Sequence, residues 1–196
     1  MIHPHLSNRR SILAFSDQAV DDQTFLKLFE AARWAASAFN EQPWRFIAGR
    51  RGEATFEKLL ECLAEGNRLW AANAGLLFLS IAKKTSSHNQ LFNRHAQHDL
   101  GLAVGNITFE AKEAGIDLHQ MGGFDSAKAI TLFHIPDDFE PVAIVAGGYP
   151  GDTSLLNENL KARAAKPRTR KPLNELVFTG TFGQSHPLCI HPITTS

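Results

Sequence analysis

Two short basic clusters, near the two ends of the sequence, carry residue types that bind phosphate. The first is Arg9-Arg10-Ser11, and the second, Arg168-Thr169-Arg170-Lys171, lies in a stretch without acidic residues. Guanidinium groups bind phosphate oxygens through paired hydrogen bonds, and a neighbouring hydroxyl adds another. The clusters are typical of a solvated basic tail, of weak nucleic-acid contact, or of two ends of the chain that converge on one phosphate. Because 20 Lys and Arg balance 20 Asp and Glu, we favour one anionic ligand over a nucleic acid.

Other candidate motifs are less specific. His95, His98 and Asp99 have metal-ligand spacing on a helix, but further ligands are missing nearby in the sequence, so we predict no metal site. No serine stands in a GxSxG context, and no GxGxxG or Walker lysine is present. The glycine-rich run at 147–151 lacks the helix start that phosphate binding needs and therefore predicts a turn.

The composition is that of a single globular domain with a sizeable core, since 43% of the 196 residues are hydrophobic. Cys62 and Cys189 form no CxxC pair, so neither a disulfide framework nor a zinc ribbon is indicated. The longest apolar run, residues 74–82, is too short to span a bilayer, and the N-terminus has no signal-peptide pattern. These features favour a cytoplasmic protein without a membrane partner.

Helices and strands must position these residues, and hydrophobic periodicity predicts their order. The predicted helices span about 22–36, 53–64, 91–114 and 125–133, and the predicted strands span 44–48, 75–81, 116–120 and 141–148. Gly66-Asn67 should end the second helix, and residues 1–8 should form a mobile lead-in. Two of the strands are apolar on both faces, which predicts an α/β or α+β sandwich.

A pair of glycines, Gly101 and Gly105, interrupts the longest predicted helix. Each costs about 1 kcal/mol relative to alanine at a helix interior, so the smooth groove they form should have a packing role. The pattern fits a tight helix crossing within the chain and a subunit interface equally well.

Four segments, in this order, resemble the nitroreductase family of FMN-dependent NAD(P)H oxidoreductases. They are Arg9-Arg10-Ser11 with Phe15, the run Ala36-Ser37-Ala38-Phe39-Asn40-Glu41-Gln42-Pro43-Trp44-Arg45-Phe46, the stretch from Asp99-Leu100-Gly101 through Ala114-Gly115 to Met121-Gly122-Gly123-Phe124-Asp125, and Arg168-Thr169-Arg170-Lys171-Pro172-Leu173 with Glu175-Leu176-Val177. The second segment is similar to the family's Pro-Ser-x-x-Asn-x-Gln-Pro-Trp signature. The resemblance covers residues 7–178, and its strength lies in the order and spacing of the four segments.

The resemblance implies an α+β fold, a three-layer α-β-α sandwich with a central mixed sheet. It also implies a domain-intertwined homodimer with FMN at the subunit interface. One FMN-binding domain would cover residues 9–178, between the lead-in at 1–8 and a C-terminal tail at 179–196.

The resemblance also implies which residues hold FMN. Its phosphate and the nearby ribityl oxygens would be held by the side chains of Arg9, Arg10, Ser11, Arg168 and Arg170. The Arg10 side chain matches the motif but could point elsewhere. The partner subunit would bring Ser37, Ala38 and Asn40 to the flavin. The ring would meet Asn67 at its edge and the backbone of Met121, Gly122 and Gly123.

Two positions depart from the family pattern. Leu13 stands where many members carry Arg or Lys, a basic residue that stabilises negative charge on the reduced ring. Arg45 and Arg68 are conceivable substitutes. Ala36 replaces the proline that usually precedes the motif serine, a milder change because Asn40 and Pro43 still define the turn.

The expected activity is hydride transfer from NADH or NADPH to flavin N5, followed by reduction of a nitroaromatic or quinone in a ping-pong cycle. Because the cofactor carries the chemistry, we assign no catalytic side chain. Alternatives are another flavin reaction such as reductive dehalogenation, a non-catalytic FMN carrier or sensor, and a nucleic-acid-binding protein that uses residues 161–171.

Overall fold

A computed structural model describes residues 2–190, which form two compact units. The larger unit, residues 3–164, contains the α-helices and strands that position the candidate site. Its helices are α1 (Pro4–Asn8), α2 (Asp22–Arg33), α3 (Ala54–Cys62), α4 (Glu65–Ala71), α5 (Ala96–Glu113), α6 (Ser126–Phe133) and α7 (Glu158–Ala164). Its strands are β1 (Trp44–Arg50), β2 (Leu76–Lys83), β3 (Asp117–Met121) and β4 (Phe139–Gly148).

The four strands form one sheet in the order β1-β2-β4-β3. Every pairing among these described strands is antiparallel, whereas the resemblance implied a mixed sheet. The reason lies in the connection between β1 and β2. Two helices, α3 and α4, bring the chain back to the end of β1, so that Leu76 at the start of β2 pairs with Arg50 at its end.

Helices cover both faces of the sheet and make the three-layer sandwich that was predicted. Alternate residues of β2 enter the two cores: Leu77 and Leu79 pack on the side of α3, while Leu76 and Phe78 pack on the side of α2 and α5. This strand is buried on both faces, as its uninterrupted apolar run predicted. The α+β class is therefore confirmed.

Three short helices, α1, α4 and α7, were not predicted. Residues 4–8 form α1 in the region expected to be a mobile lead-in, because His5 contacts Glu113 at 2.7 Å and packs against Phe109 on α5. Gly66 and Asn67 lie inside α4, where they were expected to end a helix. The preceding helix ends at Cys62, and α4 forms as a separate element.

The longest helix, α5, begins at Ala96, later than predicted. The residues before it form their own turn, in which the Asn93 side chain accepts a hydrogen bond from the His95 backbone at 3.1 Å. Gly101 and Gly105 lie on its exposed surface, and a Cβ added at either position meets no atom of the described chain within 4 Å. The glycine pair therefore does not serve a tight helix crossing within the described chain.

The smaller unit comprises residues 165–190 together with Ile2. It contains short 3₁₀ turns at Leu173–Glu175 and Pro187–Cys189 and an antiparallel bridge between Phe178 and Ser185. Part of the predicted tail, residues 191–196, lies outside the described residues. The extent of the predicted domain, residues 9–178, stays a prediction.

Candidate functional site

The first candidate group is a cation beside a hydroxyl. The chain leaves α1 at Asn8 and becomes extended at Arg9, whose Nη1 donates to the Ser11 hydroxyl oxygen at 3.3 Å. Arg9 is half-buried, whereas Arg10 and Ser11 are exposed. The structure thus brings together the arginine and serine that the sequence assigned to a phosphate, in an arrangement suited to charge-assisted hydrogen bonds.

The second group is the loop that carries Ser37, Ala38 and Asn40. A 3₁₀ turn spans Ala38–Asn40, and the Ser37 hydroxyl accepts a hydrogen bond from the Gln42 backbone at 3.0 Å. Phe39, Asn40 and Gln42 all have φ between 47° and 56°. Bulky residues rarely adopt this left-handed conformation, so surrounding contacts must hold the loop in place.

Asp99 supplies one of those contacts. One carboxylate oxygen accepts a hydrogen bond from the Ala38 backbone at 3.0 Å, and the other lies 3.1 Å from His98 Nδ1. Asp99 is buried in the first turn of α5. This role explains the residue that sequence spacing had placed beside His95 and His98 as a metal-ligand candidate. Within residues 2–190, no group of three or more His, Cys, Asp and Glu side chains is arranged to hold a metal ion.

Glu41 ties the same loop to the segment before α5. Its carboxylate accepts hydrogen bonds from the Ser86 hydroxyl at 2.6 Å and from the backbones of Ser87 and His88 at 2.7 and 3.0 Å. These hydrogen bonds, the Ser86 hydroxyl first, lower the pKa of Glu41 to about 2. The carboxylate is therefore ionised at neutral pH and keeps the two segments together.

A cavity of about 350 Å³ opens between these two segments. Two of its walls are the rings of Phe39 and Phe92, whose exposed fractions are 88% and 76%. The Phe39 ring stacks on His88 with centroids 5.8 Å apart, and Arg94 adds a cation. The cavity thus combines two exposed aromatic rings with several polar and charged side chains, and we call it the aromatic cavity.

The third group is an amide beside a glycine backbone. Asn67 Nδ2 donates to the Gly123 carbonyl at 3.1 Å, and the Ala64 backbone donates to the same oxygen at 3.1 Å. Gly123 follows Met121, the last residue of β3, and Gly122. A Cβ added at Gly122 meets no atom of the described chain within 4 Å, so the backbone there is open to a ligand.

His119 joins the first and third groups, and sequence reasoning missed it. Its Nδ1 lies 2.8 Å from the Ile12 carbonyl oxygen, one residue beyond Ser11, and its ring centroid is 4.4 Å from that of Trp70 on α4. The pKa of His119 is lowered, mainly by burial and further by the charges of Arg163 and Arg9. The hydrogen bond to Ile12 acts in the opposite direction and raises the pKa, but it does not outweigh burial. Lying outside any nucleophile or metal motif, His119 gave no sequence signal.

The other two predicted arginines lie in the smaller unit. Arg170 Nη1 donates to the Thr169 carbonyl at 2.7 Å, and both Arg168 and Arg170 are exposed in that unit. Their convergence with Arg9 on one phosphate stays a prediction.

Leu13, at the position where the resemblance led us to expect a basic residue, is buried in the core of the larger unit. Of the two conceivable substitutes, Arg45 donates to the carbonyls of Gln42 and Trp44 at 3.1 and 2.7 Å. Arg68 is exposed on α4, directly after Asn67. Arg45 is therefore bonded to its own strand and to the loop before it, and substitution by Arg68 stays a prediction.

Comparison with known proteins agrees with this geometry. The model of the nitroreductase family matches residues 6–82 and 57–149. A Mycolicibacterium smegmatis protein named "Uncharacterized 15.4 kDa protein in ask 5'region" is 35% identical over 147 residues, which cover 71% of this chain and 97% of that one. An Archaeoglobus fulgidus protein named "Putative NADH dehydrogenase/NAD(P)H nitroreductase" is 32% identical over 148 residues, 74% of this chain and 82% of that one.

A solved structure described as an oxidoreductase containing FMN superimposes with a TM-score of 0.88 at 31% identity, over 94% of both chains. Fold and site together define an α+β sandwich protein with a candidate anion site at Arg9 and Ser11 and an open glycine backbone after β3. The chain belongs to the nitroreductase family, and the resemblance seen in its sequence is confirmed. In residues 2–190, no helix combines the length and apolar character needed to cross a bilayer.

Proposed function

We propose that this protein is an FMN-dependent oxidoreductase. It takes a hydride from NADH or NADPH and reduces an organic acceptor of the nitroaromatic or quinone class in a ping-pong cycle. The names of the Archaeoglobus relative and of the FMN-containing structure support the redox activity and the cofactor. A cytoplasmic setting is part of the proposal.

One observation carries the proposal: the arginine–serine pair and the glycine backbone belong to segments in direct contact. His119 on β3 is bonded to the Ile12 carbonyl, just after Ser11, and β3 leads within two residues to Met121. FMN has an anionic phosphate at one end and a planar ring at the other. Charged donors near an open backbone fit a ligand of that shape.

Each part of the cofactor has assigned residues in this proposal. Arg9, Arg10 and Ser11, with Arg168 and Arg170, would hold the phosphate and ribityl oxygens. The backbone of Met121, Gly122 and Gly123 and the side chain of Asn67 would hold the ring. When bound, FMN supplies hydride acceptance and donation at N5, and the chain supplies binding and orientation, without an essential acid or base side chain.

The aromatic cavity is our candidate binding place for the acceptor. It lies next to Ala38, on the loop assigned to the flavin, and its volume is within the range for small-molecule sites. Stacking on Phe39 and Phe92 suits a planar ring, and Arg94 suits a nitro or carbonyl oxygen.

A homodimer completes the proposal. The loop with Ser37, Ala38 and Asn40 would contact the flavin of the partner subunit. On α5 the open surface of Gly101 and Gly105 is flanked by Leu102 and Phe109, each 42% exposed. Exposed apolar side chains beside a smooth groove suit contact with a second copy of the chain.

Turnover assays test the activity. Protein reconstituted with FMN should oxidise NADH or NADPH continuously when a quinone or nitroaromatic is present, with parallel lines in double-reciprocal plots. A single reduction without turnover would instead indicate an FMN carrier or sensor. Absence of FMN binding at micromolar concentrations would overturn the proposal altogether.

A further inference from the structure

His119 lies where three segments of the candidate site meet. Its Nδ1 bonds the Ile12 carbonyl at 2.8 Å, which fixes the chain directly after Ser11. Its ring contacts Trp70 at a centroid distance of 4.4 Å, and Trp70 belongs to the helix that carries Asn67. Two residues further along β3 is Met121, the start of the open glycine backbone.

The chemistry of the bond to Ile12 defines the state of the imidazole. A carbonyl oxygen only accepts hydrogen bonds, so Nδ1 must carry the hydrogen. Burial lowers the pKa of the ring, which favours the neutral form at neutral pH. His119 is therefore a neutral Nδ1–H donor, and Asn is the residue whose amide nitrogen best takes the place of Nδ1.

The segment of Arg9 and Ser11 is held from both sides. On one side, α1 is attached to α5 through His5 and Glu113 at 2.7 Å. On the other side, the bond from His119 holds Ile12. The chain beyond Ile12 is held separately, since the Gly151 backbone donates to the Ala14 carbonyl at 3.0 Å. Loss of the His119 bond would therefore release Ile12 and the residues before it, which include Arg9 and Ser11, while the chain after Ile12 stays in place.

We infer that His119 is a positioning residue that fixes Arg9 and Ser11 relative to β3 so that they bind the FMN phosphate. This inference rests on the proposed function. It assigns to His119 no contact with FMN and no part in hydride transfer. Its specific consequence is that His119 contributes to recognition of the phosphate more than to recognition of the flavin ring.

Flavin titrations of the apoprotein test the inference, because riboflavin has the same ring as FMN and no phosphate. His119→Phe keeps a ring against Trp70 but lacks the donor, and His119→Asn keeps a donor at the position of Nδ1. A third variant, His119→Gln, places the donor near the position of Nε2 and so controls for polarity. The ratio of FMN to riboflavin affinity is the measured quantity, with urea unfolding as the check on folding.

We expect His119→Phe and His119→Gln to lower this ratio about tenfold, the order of magnitude for a lost hydrogen bond that leaves its acceptor unpaired. His119→Asn should keep a ratio close to that of the wild type. An unchanged ratio in both Phe and Gln variants, or equal weakening of FMN and riboflavin, would overturn the inference and leave the proposed function intact. A wild-type protein that binds neither flavin would overturn both.

Discussion

Asn67 Nδ2 donates to the Gly123 carbonyl at 3.1 Å, and a Cβ added at Gly123 would lie only 3.0 Å from the same nitrogen. The glycine therefore leaves room for the amide. A Cβ at residue 123 would press on Asn67 Nδ2, so the amide that we assign to the ring edge would have to move by a few tenths of an ångström. Since α4 and the end of β3 meet at this bond, it also joins two elements of the site.

Gly123→Ala should displace the Asn67 amide and lower the free energy of unfolding by about 1 kcal/mol, as overpacking does. Gly122→Ala is the matched control, because its Cβ meets no atom of the described chain within 4 Å. Thermal unfolding of the apoproteins measures both. In an Asn67→Ala background the cost of Gly123→Ala should disappear, since the clashing atom is gone. An equal cost in both backgrounds would contradict this explanation.

Arg9→Ala should weaken FMN binding by about 1.5–3 kcal/mol, the worth of a hydrogen bond to a charged group. Equilibrium titration of the apoprotein with FMN measures the loss, and Arg168→Ala should give a loss of the same kind. Arg33→Ala removes an exposed arginine that pairs with Glu30 on α2 and serves as the control. Unchanged affinity in both Arg9→Ala and Arg168→Ala would mean that the phosphate binds elsewhere.

Glu41→Gln should destabilise the protein at neutral pH and not at strongly acidic pH. The pKa of Glu41 falls from 4.5 to about 2 on folding, so its contribution to stability is full above pH 4.5 and disappears as the pH falls towards 2. Urea unfolding of wild type and variant at several pH values measures the difference. A difference that stayed constant from pH 7 to pH 2 would mean that ionisation of Glu41 does not connect the two segments.

Gly105→Leu should weaken the dimer while leaving the subunit folded. The chain has room for the new side chain, since the position is open among the described residues, but a second subunit packed on α5 does not. Analytical ultracentrifugation measures the association, with Ala127→Leu, at an exposed position on α6, as the control. A stable dimer of Gly105→Leu would place the interface on another surface.

Hydrophobic periodicity predicted the helices and strands whose own sequence shows which residues are buried. The predicted helix at 22–36 is observed as α2, whose Asp21 cap accepts a 2.7 Å bond from the Thr24 backbone, and β2 is buried on both faces. The helices α1, α4 and α7 were missed because each has only five to seven residues. Distant contacts also stabilise α1 and α4, and periodicity does not reveal such contacts. His5 depends on Glu113, and Trp70 depends on His119 and Phe15.

The residues of the candidate site also fall into those that the sequence predicted and those that it did not. Family resemblance identified the segments around Arg9, Asn67 and Gly123, and the structure pairs Arg9 with Ser11 and Asn67 with Gly123. The residues that hold those segments could not be predicted, because their partners lie far away in the sequence. Asp99 reaches Ala38 across 61 residues, and His119 reaches Ile12 across 107. A single sequence does not reveal such pairs.

The most direct test of the central claim is an anaerobic spectroscopic titration of the FMN-reconstituted protein. NADH or NADPH, added stepwise, should bleach the visible flavin absorption with one equivalent per FMN, and a quinone added afterwards should restore it. Protein that retains no FMN would contradict the account. Bound flavin that neither nicotinamide reduces would contradict the proposed hydride donor.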